Sequence, residues 1–235
     1  MIFYSCVFSL GDKKNEYIYM LMILYASLKK TKSLVCGDMF YLMADDATAE
    51  IVRGVPGLSE IIVIPMPTPA TLLEGMSWRY QFHRHTDVMF QNVCYLDVDM
   101  ICLKQFKLQI SDRDILCVYP EGSSSDNNYS GAQKPLKGLV GYSSTLFAYN
   151  LGEHVLQLFE GILYKMRVEP ENHYTLDQPY FNHALQAFSR FVQLPDTLLS
   201  FNGHNNMPGA YFINYAGSPG DGAFHFLKGL QLMCC

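Results

Sequence analysis

Charge is scarce in this chain. Asp, Glu, Lys and Arg make up 17% of its 235 residues, with 17 basic against 22 acidic and a net charge of −5. Binding phosphate backbones needs a basic face, so this composition argues against a nucleic-acid partner. Cysteine is present without pattern: Cys6, Cys36, Cys94, Cys102, Cys117, Cys234 and Cys235 show no C-x-x-C spacing. That argues against a disulfide framework and predicts reduced, packed thiols. No apolar run approaches the roughly 20 residues of a membrane span; the most apolar, Tyr17–Leu28, is far shorter. The apolar start, Met1–Phe8, has no basic region before it and meets Gly11-Asp12-Lys13 at once, so no secretion signal is expected. A cytoplasmic, unanchored protein is the expectation. Neither glycine cluster, at Gly11 or at Gly217–Gly222, is followed by Gly-Lys-Ser/Thr, so there is no P-loop.

What is present is apolar bulk. The chain is 49% hydrophobic and 14% aromatic, which describes a compact globular protein. Its length suits one domain and allows a substantial core without disulfides. Ile2–Leu10 reads as a buried strand and Asn15–Lys30 as a helix ending on lysines. Met39–Met43 and Glu60–Pro65 read as strands flanking a short helix at Thr48–Val55. Met76–Phe90 has helical spacing and Val93–Leu96 is another strand. This alternation predicts an α/β fold with a mostly parallel, doubly wound sheet flanked by helices. Further on, strands are expected at Ile115–Tyr119 and Thr145–Tyr149, separated by a polar loop, Pro120–Gly138. Helices are expected at Glu153–Arg167 and Leu176–Ala187. With no repeats and no linker, a single domain over 1–235 follows.

The apolar strand ends in Tyr95-Leu96-Asp97-Val98-Asp99. Open α/β sheets bind ligands beyond the carboxyl ends of their strands. Carboxylates two apart in an extended backbone lie on one side and can share a hard divalent cation. The 13 aspartates make one such pair expected by chance, and the chain contains a second, Asp112-Arg113-Asp114. That pair precedes a strand and reads as a solvated turn. His83-x-His85 reads as an exposed pair on a helix, since residues two apart do not face each other there.

Taken together, four segments in this order resemble the glycogenin-like (family 8) retaining glycosyltransferases. They are the opening strand and helix through Ala26-Ser27-Leu28-Lys29, the Asp97-Val98-Asp99 motif, Tyr174-Thr175-Leu176-Asp177-Gln178-Pro179-Tyr180-Phe181-Asn182, and His225-Phe226-Leu227. The resemblance spans nearly the whole chain. It implies a GT-A fold, with a nucleotide-binding half at 1–103 and a donor-sugar and acceptor half at 104–235. It further implies transfer of a hexose, glucose or galactose, from a UDP-sugar with retention. Asp97, Asp99 and His225 would bind Mn²⁺ or Mg²⁺, and Tyr17 would stack on the uracil. Phe8, Ser9, Leu10 and Val98 would line the nucleotide, while Asp177 and Gln178 would hold the sugar beside the anomeric carbon.

The chain departs from the family at three places. The family's Gly and Lys after His-Phe are replaced, with Lys228 and Gly229 in shifted positions. Its Phe-Asn-Ser-Gly segment is here Tyr142-Ser143-Ser144-Thr145, leaving Ser143 and Ser144 to meet the sugar. Its basic residue before Asp-x-Asp falls on Gln81, with Arg79 the preferred substitute. An inverting GT-A enzyme with Asp177 as base, and a degenerate sugar-nucleotide binder, remain alternatives. The usual Gly-rich basic loop of a nucleotidyltransferase is missing from Leu10–Lys14. The acceptor is left open among glycan, glycoside and protein, with Tyr129 of the polar loop a candidate self-acceptor.

Overall fold

A computed structural model describes residues 1–9, 14–123, 139–170, 176–201, 209–215 and 231. The chain is mixed α/β, and it divides into two compact units. Unit 1 takes residues 1–69, 96–108 and 197–235; unit 2 takes 70–95 and 109–196.

Unit 1 opens with β1 (Ile2–Val7), α1 (Lys14–Lys30), β2 (Met39–Asp45), α2 (Asp46–Arg53) and β3 (Ile62–Met66). The strands pair in parallel in the order β3-β2-β1, with Tyr4 opposite Tyr41 and Leu42 opposite Val63. β1 stops at Val7, short of the expected Leu10. α1 buries Ile18, Leu21, Leu24 and Leu28, each contributing about 1.5–3 kcal/mol of apolar burial. Its last turn carries Lys29 and Lys30 against the negative helix end.

Ligation of the backbone by hydroxyls then fixes the rest of the unit. Ser27 Oγ, on α1, accepts from Cys102 N at 3.0 Å, and Ser33 Oγ accepts from Phe106 N at 2.8 Å. Cys102 closes a short strand that pairs antiparallel with Phe212–Asn214, which in turn runs parallel to Leu199–Phe201.

In unit 2, α3 (Leu72–Ser77) starts on a side-chain cap related to the capping box. Thr71 Oγ1 accepts from Glu74 N, and Glu74 reaches back to Ala70 N. The long helix expected over Met76–Phe90 does not form. Two 3₁₀ turns, Trp78–Tyr80 and Phe82–Arg84, follow α3 instead. The run is rich in aromatic, His and Thr residues, which lose rotamer freedom in a helix. β4 (Asn92–Leu96) leads to Asp97, and β5 (Met100–Cys102) is the short strand of unit 1 named above. β6 (Ile115–Ser123), β7 (Val140–Asn150), α4 (Glu153–Val168), α5 (Gln178–Leu185) and β8 (Phe191–Gln193) complete unit 2, with strand order β4-β7-β6-β8. β9 (Leu199–Phe201) and β10 (Phe212–Asn214) belong to unit 1.

β6 and β7 pair antiparallel and both outrun their expected lengths, so Pro120–Ser123 is strand and not loop. Between them and the helices lies an aromatic core of Tyr80, Tyr95, Phe147, Tyr149, Phe159 and Phe181, with Tyr80 stacked on Phe147 at 5.8 Å between centroids. His83 is not an exposed helical histidine. Its side chain is 6% exposed and its Nε2 lies 3.0 Å from Glu160. Arg84 binds the same carboxylate and, as the largest cause, holds the Glu160 pKa down at about 2.

The second Asp-x-Asp pair divides. Asp112 is exposed, but Asp114 is buried and is no solvated turn. It accepts from His154 N at 3.0 Å and Val155 N at 2.9 Å, so it caps α4 from a distant part of the chain.

No disulfide forms among the described cysteines. Cys94, Cys102 and Cys117 are buried, as packed thiols should be, but Cys36 is exposed. Among the described residues no helix is long and apolar enough to cross a membrane.

Candidate functional site

In unit 1, the parallel strands β1 and β2 end side by side, where α/β sheets bind ligands. Ser9, two residues beyond β1, is held there by an unanticipated residue, Asp45. The Asp45 carboxylate accepts from Ser9 N at 2.7 Å and Ser9 Oγ at 2.5 Å, and from Thr48 N at 2.9 Å as the N-cap of α2. Burial acts to raise the Asp45 pKa, but these hydrogen bonds together outweigh it and leave the pKa lowered. Phe8 is half-buried beside Ser9 in sequence.

Asp97 and Asp99 are both half-buried, with Val98 buried between them at 7% exposure; they lie between β4 and β5, where 98–99 form a turn and not the extended backbone expected. Ser5 Oγ of β1 donates to Leu96 O at 2.6 Å and fixes the chain just before the pair. On the other side, β5 pairs with β10 so that Asn214 lies opposite Met100. Tyr215 N donates to Asp99 O at 3.0 Å, and Asn214 Nδ2 lies 3.4 Å from Asp99 Oδ1, at the long limit of a hydrogen bond.

Ile23 of α1 packs with Ile101 and Tyr215 in one apolar cluster. That docks α1 on the small sheet and brings Tyr17, on the same helix, near the aspartates. Burial raises the Tyr17 pKa first, then the charges of Asp99, Glu16 and Asp97. The residues read as base-stacking and metal-binding are therefore electrostatic neighbours.

The oxygen donors of Asp97 and Asp99 suit a hard cation such as Mn²⁺ or Mg²⁺. Among the described residues no group of three His, Cys, Asp or Glu converges on one point. His225, the third expected ligand, lies outside the described residues, as do Leu10, Lys228, Gly229 and Tyr129.

In unit 2, Arg79, Ser144, Asp177 and Gln178 come together, all buried, while Ser143, also buried, accepts from Thr145 N at 3.3 Å. Arg79 is 4% exposed. Its Nη1 donates to Ser144 O at 3.0 Å and Ser144 Oγ at 3.1 Å, and lies 3.5 Å from Asp177 Oδ2. The guanidinium also covers the Tyr95 ring at 5.0 Å. Arg79 thus binds the strand and helix of this site to each other as well as carrying charge.

Asp177 sits at the N-cap position of α5 but makes no side-chain cap bond. Its Oδ2 accepts from Tyr80 Oη at 2.6 Å instead. The preceding Leu176 holds a left-handed backbone, φ 54°. Such strain in a non-glycine residue costs of order 1–3 kcal/mol and is concentrated at functional sites.

Gln178 begins α5 and accepts from Ser144 N at 3.4 Å. Asn182, one turn later, pairs with the backbone of Tyr142 in both directions, accepting from its N at 2.6 Å and donating to its O at 2.8 Å. This locks α5 to β7 at the site. Tyr80, Asp45 and Asn214 join the candidate site without being expected from the sequence. The Asn-Tyr at 214–215 follows an apolar run, which was the one available hint; the others reach their partners only through tertiary packing.

Compared with models of known protein families, the chain matches none, and no curated protein matches it.

Proposed function

We propose that this chain is a metal-dependent glycosyltransferase of GT-A type, moving a hexose, glucose or galactose, from a UDP-sugar to an acceptor with retention. The observation that carries the reading is the half-buried pair Asp97 and Asp99 just beyond β4, with Tyr17 of α1 close enough for their charges to help raise its pKa after burial. A stacking ring beside two carboxylates at a strand end suits a nucleotide diphosphate carried on a divalent ion. The ion, when bound, neutralises charge on the departing diphosphate.

Asp97 and Asp99 hold that ion, with His225 as third ligand by resemblance to the family. Tyr17 stacks on the base, while Phe8, Ser9 and Val98 line it. Asp45 fixes Ser9, and Asn214 and Tyr215 fix Asp99. By resemblance to the family, Gln178 of unit 2 would serve the donor sugar. Asp177, engaged by Tyr80 and Arg79, is a rigid support for the start of α5. The alternative in which Asp177 acts as a base is disfavoured by its 2% exposure.

A thermal-shift panel tests the donor. UDP-glucose or UDP-galactose with Mn²⁺, at a hundredfold excess over Kd, is expected to add about 2.7 kcal/mol. That corresponds to roughly 5–10 °C in Tm for a chain of this size. GDP- and CDP-sugars should shift Tm less. Equal stabilisation by GDP-mannose would remove the uridine assignment.

A further inference from the structure

Glu121 reaches the unit 2 cluster through an irregularity in β6. Pro120 faces Tyr142 and Gly122 faces Gly141, with register shifts on the way, so Glu121 has no partner across the strand pair. A bulge bends its strand and re-aims the extra side chain, and such bulges are common beside active sites. Here the Glu121 carboxylate accepts from Gln178 Nε2 at 2.5 Å.

The other end of the same amide, Oε1, accepts from Ser144 N at 3.4 Å. An ionised carboxylate only accepts and a backbone N–H only donates. The two partners therefore select one orientation of the amide, nitrogen toward Glu121 and oxygen toward Ser144. The residue Glu121 is exposed overall, yet protein atoms crowd its carboxyl group. Burial pushes its pKa up, and the Gln178 hydrogen bond offsets part of that shift.

We propose that Glu121 is a positioning residue for Gln178, fixing which end of the Gln178 amide is presented to the donor sugar. This rests on the transferase reading, which gives Gln178 its substrate. At 2.5 Å against 3.4 Å, the Glu121 contact dominates the Ser144 contact. A glutamine at 121 can still accept from Nε2 through its own carbonyl, but more weakly. An alanine there leaves the amide held at one end only.

Two measurements on the full chain test this. The first is independent of catalysis. The side-chain amide resonances of Gln178, assigned by their loss in Gln178→Asn, should move toward free-glutamine positions in Glu121→Ala and stay displaced in Glu121→Gln. The second is hydrolysis of UDP-glucose with Mn²⁺. Glu121→Ala should lower kcat on the order of 10²-fold, the scale of a misplaced catalytic group, with KM near wild type. Glu121→Gln should recover most of that loss.

Unmoved Gln178 resonances in Glu121→Ala, or an unchanged kcat, would overturn the proposal. So would equal inactivity of both variants, since that implicates the charge itself and not the hold on Gln178. A wild-type protein inactive on every UDP-sugar tested would sink the transferase reading separately, while the resonances still decide whether Glu121 holds Gln178.

Discussion

Asp99→Ala is expected to abolish metal-dependent hydrolysis and transfer from UDP-sugars while leaving the fold intact. Losing an outer-shell partner of a metal ligand costs 10–100-fold, so losing a ligand itself should exceed about 100-fold. The fold should survive because the side chain is only half-buried. The link from Tyr215 N to Asp99 O uses backbone and persists in alanine. Asp112→Ala is the control. Asp112 belongs to the same Asp-x-Asp spacing but is exposed, so activity and Tm should stay near wild type. Paired activity and circular-dichroism melts decide it, and like behaviour of the two variants would show that the wrong pair had been chosen.

The largest loss of stability is expected from Asp114→Ala. Position 152, the N-cap of α4, is a glycine with no side chain to offer. Asp114 supplies the cap from across the unit, accepting from His154 N and Val155 N, the second and third residues of the helix. His154 Nδ1 contacts the same carboxylate, and Arg190 Nε lies 3.8 Å from it. The glycine is required: a Cβ at 152 would lie 2.3 Å from the Asp114 Cβ. Loss of the cap and of the charged hydrogen bonds should cost about 3 kcal/mol, or roughly 6–12 °C in Tm.

The same contact predicts a pH dependence. Burial works to raise the Asp114 pKa, but hydrogen bonds from Val155 and His154 overcome it and lower it. A depressed folded-state pKa contributes stability above the unfolded value, about 3.9, and loses it as pH falls through the folded value. Asp114→Ala should therefore narrow its gap to wild type in acid below that range. A gap that stays constant down to the lowest pH at which both fold would contradict this role for the carboxylate.

Long periodic elements were legible in the sequence. α1, α4, and the strands β1 to β4 fall within a few residues of their expected spans, and all but β3 bury a continuous apolar face. The helix expected at Met76–Phe90 does not form. Trp78, Tyr80 and Phe82 are spaced two apart and cannot share one face of an α-helix, and the chain buries all three through 3₁₀ turns. β5, β8, β9 and β10 have three residues each, too short to show a period.

Of the candidate site, the place of Asp97-Val98-Asp99 at the end of an apolar strand was legible. The site was not legible where the partner lies far along the chain. Ser9 and Asp45, Tyr80 and Asp177, and Glu121 and Gln178 are joined only by folding. Asp114 misled for the same reason: its motif resembled a turn, and its partners begin forty residues later.

The most direct test is a calorimetric titration of UDP into the wild-type protein, once with Mn²⁺ and once with EDTA. Saturable binding with Mn²⁺ that disappears in EDTA, and is absent from both Asp97→Ala and Asp99→Ala, is the expected result. Binding of equal affinity in EDTA, or undiminished in both aspartate variants, would contradict a nucleotide site built on Asp97 and Asp99.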